Sequence, residues 1–250
     1  MKITIGFLLS FVLVFATMAQ SDPQAFEIVK KADEKTRGLS NRSEMSMTIE
    51  RPSWSRTITM KSWNKGTEYS LILITGPAKD KGQVFLKRKK EMWNWVPAIE
   101  RTIKIPPSMM MQGWMGSDFT NDDLVQQSSI VVDYHHTYLG KEEIRGLECH
   151  KIMFIPKPDA PVVWGKIISW ISVEGIDLLK SEYYDEEGEL VNIENAYDLK
   201  KMGDRTLPVR YEIIPVDKPG QKTVLEMKSV EFNVKIPDDF FSLQNMKRIQ

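Results

Sequence analysis

The residues best suited to catalysis or metal binding are few in this sequence, and their spacing argues against both roles. His135 and His136 are adjacent, and neighbouring side chains in a strand point to opposite faces, so the pair cannot readily chelate one ion. Cys149 and His150 are adjacent in the same way, which separates a thiol from the imidazole that would activate it. We therefore expect no metal site and no catalytic residue among them.

Adjacent acidic residues occur at Asp122-Asp123 and again at Asp238-Asp239. Each pair lies at the predicted end of a secondary-structure element, where acids commonly cap a helix or a turn. The sequence has no phosphate-binding glycine loop, no serine nucleophile elbow and no dinucleotide-binding glycine pattern. The prediction is a protein that is not an enzyme and that needs no cofactor.

Four consecutive cations, Lys87, Arg88, Lys89 and Lys90, lie between two apolar segments with the character of strands. Such a cluster suits a hairpin tip, which is either a solvated turn or a contact point for an anionic membrane surface or an acidic partner. Over the whole chain, Lys+Arg and Asp+Glu both number 34. No strong positive field therefore favours nucleic acid as a partner.

A methionine-rich segment, residues 109–115, follows the strand-ending pair Pro106-Pro107. Methionine is flexible and polarisable, and surfaces that bind varied apolar shapes often use it. The segment is too short and too interrupted by glycine to form an ordinary core helix. It is therefore either a mobile flap over an apolar cavity or a loop that fills the core.

Tryptophan is concentrated in or beside the predicted strands. Large aromatic residues on the inner face of a sheet either pack a core or line a cavity for acyl chains, because apolar contacts are non-directional. Under the second interpretation, the candidate residues of a hydrophobic cavity and its lid are Trp63, Trp93, Trp95, Met109, Met110, Met111, Trp114, Met115, Trp164 and Trp170.

The elements that would position these residues are mostly strands. Asp22-Pro23 suits a helix start, and apolar residues at helical spacing continue to Gly38. From Met45 onward the apolar pattern has period two, apart from a short helical segment at residues 118–127. We predict a mainly β, α+β fold. One curved antiparallel sheet of about 11 strands forms an incomplete half-barrel, covered by the N-terminal helix and a short helical and methionine-rich lid.

The first 19 residues have the pattern of a cleaved signal peptide. Lys2 supplies a positive charge, residues 5–15 are almost wholly apolar, and Ala19 is a small residue at the expected cleavage site. The chain has one cysteine, so no intramolecular disulfide can form. We expect a periplasmic protein with one domain at residues 20–250, folded as a monomer around its own core.

The order of motifs along the chain resembles the outer-membrane lipoprotein-sorting protein family, relatives of the periplasmic lipoprotein carrier LolA and its receptor LolB. The resemblance covers roughly Asp22 to Arg248 and rests on MWNWVPAIERTIKI, GSDFTNDDL, VVWGKIISWIS, EYYDEEGEL, GDRTLPVRYEI and KIPDDFFSL. It implies an open, LolA-like half-barrel. Its cavity would hold the acyl chains of a lipoprotein or another lipid during transport across the periplasm, without catalysis.

The resemblance also implies partners. Members of this longer subgroup resemble accessory partners of efflux-type inner-membrane transporters, so an inner-membrane transporter and transient membrane contact are expected beside the lipid. The alternative is a filled half-barrel that docks on such a transporter and carries nothing. The carrier's lid-hooking arginine, followed by proline, has no counterpart in Lys61-Ser62-Trp63-Asn64-Lys65, so we do not carry that hook over.

Overall fold

A computed structural model of the chain describes residues 21–89, 91–125, 129–158 and 160–249. These residues form one antiparallel sheet of 13 strands in the order β6-β5-β4-β3-β2-β1-β13-β12-β11-β10-β9-β8-β7. The strands are β1 (Ser40–Arg51), β2 (Trp54–Lys65), β3 (Tyr69–Gly76), β4 (Val84–Arg88), β5 (Glu91–Val96), β6 (Arg101–Ile105), β7 (Tyr134–Ile144), β8 (Leu147–Pro156), β9 (Lys166–Ser172), β10 (Leu178–Tyr184), β11 (Leu190–Met202), β12 (Arg205–Pro215) and β13 (Lys222–Phe232). Because β6 and β7 are edges, the sheet is open and does not close into a barrel. The predicted mainly β fold is confirmed, with two strands more than the predicted number.

One helix, α1 (Pro23–Arg37), lies on the sheet. Asp22 caps it, since its Oδ1 accepts hydrogen bonds from the amides of Gln24 at 2.8 Å and Ala25 at 3.3 Å. Gly38 ends it at φ 64°, a conformation that favours glycine. The apolar stripe of α1, namely Ala25, Val29 and Ala32, is buried against the sheet.

The sheet curves around the interior that α1 covers. In the strand order β2 is fifth and β7 is thirteenth, so eight strand spacings separate them. In a flat sheet that distance would be roughly 40 Å. Ser62 on β2 and Tyr134 on β7 nevertheless line one cavity, which requires the sheet to bend around it.

The two faces of the sheet carry separate apolar clusters. On the face that α1 covers, the helix face, Ile58 and Met60 belong to the main core. On the opposite face, the C-terminal face, Leu71 and Leu86 pack with Phe241 and other apolar residues of the final segment, residues 236–249. Both faces of β2–β5 are therefore covered by protein.

The short helix α2 (Asn121–Val125) follows the Met-rich segment. Thr120 and Asp123 form a capping box, in which the Asp123 amide donates to Thr120 Oγ1 at 3.1 Å and the Thr120 amide donates to Asp123 Oδ2 at 2.8 Å. The predicted helix at residues 118–127 is therefore shorter at its start, and residues 126–128 lie outside the described part of the chain.

The predicted signal peptide falls within residues 1–20, outside the described residues. In the ranges that the structure covers, no helix is long and apolar enough to span a membrane.

Candidate ligand-binding cavity

A cavity of about 310 Å³ lies between α1, α2 and the helix face of the sheet. Its walls are mainly apolar. They come from α1 and α2, from β1, β2, β7 and β9 to β13, and from the loops between strands. The apolar and aromatic lining residues are Met45, Phe119, Leu124, Ile130, Tyr134, Trp164, Ile167, Tyr183, Tyr211, Ile213, Leu225, Met227 and Val230. The cavity thus offers a bound molecule a lining in which apolar residues predominate.

One side of the cavity is polar. Asn64 Nδ2 donates to Asn41 Oδ1 at 2.9 Å and to Ser62 Oγ at 3.0 Å, and Asn41 Nδ2 donates to the Arg37 carbonyl at 3.0 Å. Ser43 lines the cavity on the same side and is only 5% exposed. Its hydroxyl forms no hydrogen bond with another described residue, so it stays available to a ligand.

The carboxyl end of α1 contributes an ion pair to the same polar side. Asp33 and Arg37, one helical turn apart, are joined through Oδ1 and Nη2 and both line the cavity. Burial raises the pKa of the Asp33 carboxyl, and the Arg37 guanidinium partly opposes that rise. Arg37 therefore has its counter-charge within α1.

Two further carboxyl groups face the cavity from α2 and β11. Burial raises the pKa of Asp123 to about 6, and its Oδ1 lies 3.5 Å from Trp164 Nε1. Burial likewise raises the pKa of Glu194 to about 7, although the Tyr183 hydroxyl donates to its Oε2 at 2.5 Å. Neither carboxyl group forms an ion pair with a residue that the structure describes. Both acids are partly protonated near neutral pH.

Of the predicted tryptophans, Trp164 lines the cavity, where its ring lies 5.1 Å from that of Tyr183. Trp63, Trp93 and Trp95 do not line it, which corrects their predicted place. They lie on the C-terminal face and pack against the cluster that the final segment covers. The ring centroids of Phe240, in the final segment, and Trp63 are 5.5 Å apart. These tryptophans therefore pack the final segment against the sheet.

Trp170 is also turned away from the cavity. It is buried beside Cys149 and Leu179 in a small cluster of its own. The ammonium groups of Lys180 and Lys151 lie 4.4 and 5.0 Å from its ring centroid, an arrangement that favours a cation–π interaction. Trp170 is therefore a structural residue of β9 rather than a lining residue.

The Met-rich segment fills the core with two of its side chains. Trp114 is fully buried with its ring 5.1 Å from that of Phe85, and Met110 is buried in the same cluster. The Trp114 amide donates to the Phe119 carbonyl at 2.7 Å. These contacts are the ones expected of a core-filling loop, the second of the two interpretations.

The remaining methionines of that segment lie nearer the surface. Met109 and Met111 are exposed, whereas Met115 is packed against the main core. Met109 and Met115 line a second pocket of about 370 Å³ beside Arg56 and Asn94. No methionine of the segment lines the cavity under α1.

The four predicted surface cations do not share one environment. Lys87 is 3% exposed, and its Nζ donates to the Thr67 carbonyl at 2.7 Å. Burial lowers the pKa of this ammonium to about 8, so Lys87 is not part of an exposed contact patch, contrary to the prediction. Arg88 and Lys89 are exposed at the turn, and Lys90 lies outside the described residues.

The candidate metal and nucleophilic residues are accounted for by packing. Cys149 is buried, and burial raises the pKa of its thiol. His136 is also buried, with Nε2 2.6 Å from the Ile130 carbonyl, and burial lowers its pKa. Across the described ranges, no group of three or more His, Cys, Asp or Glu residues could hold a metal ion.

Comparison with known proteins agrees with this architecture. A family model described only as "-like: Uncharacterized protein" matches residues 66–248, more than half of the chain. The chain belongs to this family. None of the curated proteins matches it.

Solved structures with low sequence identity share the fold. A DUF1329 family protein from Desulfovibrio piger ATCC 29098 matches with a TM-score of 0.81 and 21% identity, covering 89% of this chain and 98% of that one. An outer membrane lipoprotein-sorting protein domain from Vibrio parahaemolyticus matches with a TM-score of 0.80 and 21% identity, covering 90% and 99%. A LolA superfamily protein from Nitrosomonas europaea matches with a TM-score of 0.77 and 22% identity, covering 88% of this chain and 98% of that one. The chain therefore has the fold of the LolA superfamily, as the motif order predicted.

Proposed function

We propose that this protein is a periplasmic carrier that holds the acyl chain of a lipid or a lipoprotein in the cavity under α1. The observation that carries the proposal is the cavity itself, about 310 Å³ in volume and mostly apolar. The removal of apolar surface from water favours burial of an acyl chain there. Contacts between apolar groups are non-directional, so they tolerate varied ligands. The outer membrane lipoprotein-sorting domain among the structural matches supports the same assignment. The proposal includes no reaction.

The volume of the cavity limits what it holds. Pockets for small molecules measure roughly 300–1,000 Å³, and this cavity lies at the lower end of that range. A single acyl chain suits it better than a lipid anchor with several chains. A filled interior would instead have favoured the alternative of a docking module that carries nothing.

The test compares a variant that fills the cavity with a matched variant elsewhere. Leu225 lines the cavity, so Leu225→Trp should occupy its volume. Leu199 is 45% exposed on β11, so Leu199→Trp makes the same chemical change without touching the cavity. Native mass spectrometry of protein purified from the cell envelope should show a bound lipid in the parent and in Leu199→Trp, and not in Leu225→Trp.

Binding of a fluorescent acyl probe in solution gives the second measurement. Leu225→Trp should weaken probe binding at least about tenfold, or about 1.4 kcal/mol, while circular dichroism shows a folded sheet. Equal probe affinity in the parent and both variants would overturn the assignment of this cavity as the binding site.

A further inference from the structure

Two carboxyl groups of the cavity have no counter-charge among the described residues. Asp33 and Arg37 both line the cavity and are paired with each other. Asp123 and Glu194 also line it, and neither forms an ion pair with a described residue. A purely apolar cargo would leave both carboxyl groups in that state, although burying a charge without a counter-charge is unfavourable.

The hydrogen bonds of Asp123 and Glu194 come from neutral donors. The Thr120 amide and the indole of Trp164 face Asp123, and the Tyr183 hydroxyl donates to Glu194. No described cation forms an ion pair with either carboxylate. Both residues line the cavity, so a ligand cation bound there would supply the missing counter-charge.

Ser43 is an independent observation at the same cavity. It is 5% exposed and lines the cavity, and its hydroxyl has no hydrogen-bond partner among the described residues. Buried hydroxyl groups are normally satisfied. A polar group of the ligand inside the cavity would satisfy this one, which a plain hydrocarbon chain would not.

We propose that the cavity binds a single-chain amphiphile with an ammonium head group and discriminates against chains that end in a carboxylate. This inference rests on the proposed carrier function and specifies its ligand class. The chain lies against the apolar wall, and the ammonium lies among the Asp123 and Glu194 carboxylates. A carboxylate head would meet like charges there and would lose its hydration without gaining a counter-charge.

The pH dependence follows from the acids that face the head group. An ammonium favours the ionised form of Asp123 and Glu194, so affinity should rise as pH increases from about 5 to about 8, through the raised pKa values of both acids. The other titratable or charged groups around them come from every neighbouring element: Asp33 and Arg37 on α1, Asp122 on α2, Lys87 on β4, Tyr134 on β7, Tyr183 on β10 and Tyr211 on β12. The pKa values of these tyrosines are raised, so they stay neutral in this range.

Calorimetric titration with four ligands of one chain length tests the proposal: dodecylammonium, dodecanol, dodecanoate and lauroyl lysophosphatidylethanolamine. At about pH 8 dodecylammonium should bind at least about tenfold more tightly than dodecanoate, and the preference should shrink towards pH 5. The lysophospholipid separates two sources of the ammonium. Tight binding assigns the ligand to phospholipids, and weak binding assigns it to simple ammonium amphiphiles.

The variant Asp123→Asn/Glu194→Gln removes both charges with little change in shape. It should reduce the preference for dodecylammonium to less than about threefold, while dodecanol binds as in the parent. Glu187→Gln, an exposed change in the β10–β11 turn, is the control with the same chemistry. Equal binding of all four ligands to the parent would overturn the head-group inference but leave the carrier function. Absence of binding by all four would remove the carrier function itself.

Discussion

Arg51 on β1 binds Asp118 through both ends of its guanidinium, with Nη1–Oδ2 at 2.9 Å and Nη2–Oδ1 at 3.0 Å. The two side chains are 11% and 6% exposed. Thr223 Oγ1 on β13 also donates to Asp118 Oδ2 at 2.7 Å. The chain that follows the Met-rich segment is thereby fixed to two central strands of the sheet.

Asp118→Ala should lower the free energy of unfolding by about 3 kcal/mol, because it leaves a buried guanidinium without its counter-charge. Urea unfolding followed by circular dichroism measures the change. Glu44→Ala is the control, since Glu44 pairs with Lys61 at 3.5 Å on the surface and should cost no more than about 1 kcal/mol. Similar losses in the two variants would contradict an anchoring role for Asp118.

The Met-rich segment should respond to substitution as part of the core. Trp114 is fully buried against Phe85, so Trp114→Ala should lower the free energy of unfolding by about 3–5 kcal/mol. Met111→Ala, in the same segment but at a residue that is 58% exposed, should change it by less than about 0.5 kcal/mol. Chemical denaturation measures both variants. A small effect of Trp114→Ala would favour the mobile flap.

The sequence predicts the strands well because period-two alternation is local information. It also carries the parity of each strand: Met60 and Ser62 point to one face of β2 and Trp63 to the other. That parity places Trp63 on the face opposite the apolar residues under α1. It is the signal in the sequence that indicates that Trp63 does not line the cavity. What alternation could not supply is the partner of the second face, since residues 236–249 reach Trp63 only through the tertiary fold.

The acids of the cavity were missed for a related reason. The sequence predicts a capping role for Asp123, and the structure confirms it, since Asp123 completes the capping box with Thr120. Asp123 also lines the cavity, and that position depends on how α2 is placed over the sheet. Glu194 lies beside Ile193 in β11, so alternation favours burial of the isoleucine and exposure of the glutamate. The register of the sheet instead pairs Glu194 with Ile213 of β12, which also lines the cavity, and so places the glutamate on the cavity face.

The raised pKa of Glu194, about 7, predicts a pH-dependent stability. A carboxyl group with a higher pKa in the folded state binds its proton more tightly there. The free energy of unfolding therefore falls as pH rises from the pKa of the unfolded state, about 4.3, through the pKa of the folded state. It stays at the lower level at higher pH. Because Glu194 has partial access to water through the cavity, the loss should be about 1–2 kcal/mol rather than the full shift.

Glu194→Gln should abolish that loss while keeping an acceptor for the Tyr183 hydroxyl. Relative to the parent, the variant should be about 1–2 kcal/mol more stable at about pH 8 and equally stable at about pH 4. Urea unfolding at the two pH values measures both differences, with Glu187→Gln as the control. A variant that is less stable at the higher pH would contradict the raised pKa.

The exposed cations of the β4–β5 turn bear on encounter with a membrane. Arg88 and Lys89 are exposed, whereas Lys87 is buried. A contact patch would therefore include Arg88 and Lys89 but not Lys87. Near an anionic surface each exposed cation contributes about 1 kcal/mol, screened over roughly 10 Å at moderate salt. Arg88→Gln/Lys89→Gln should therefore slow transfer of an acyl probe to anionic liposomes at low salt, and the difference should disappear at high salt.

Lys87→Gln separates encounter from stability. Lys87 donates to the Thr67 carbonyl inside the fold, so its replacement should lower the free energy of unfolding by about 1–3 kcal/mol. The salt dependence of transfer should stay as in the parent. The probe affinity of Arg88→Gln/Lys89→Gln in solution should also match the parent, because neither residue lines the cavity. If that double variant transfers the probe at the parental rate at every salt concentration, Arg88 and Lys89 are only part of a solvated turn.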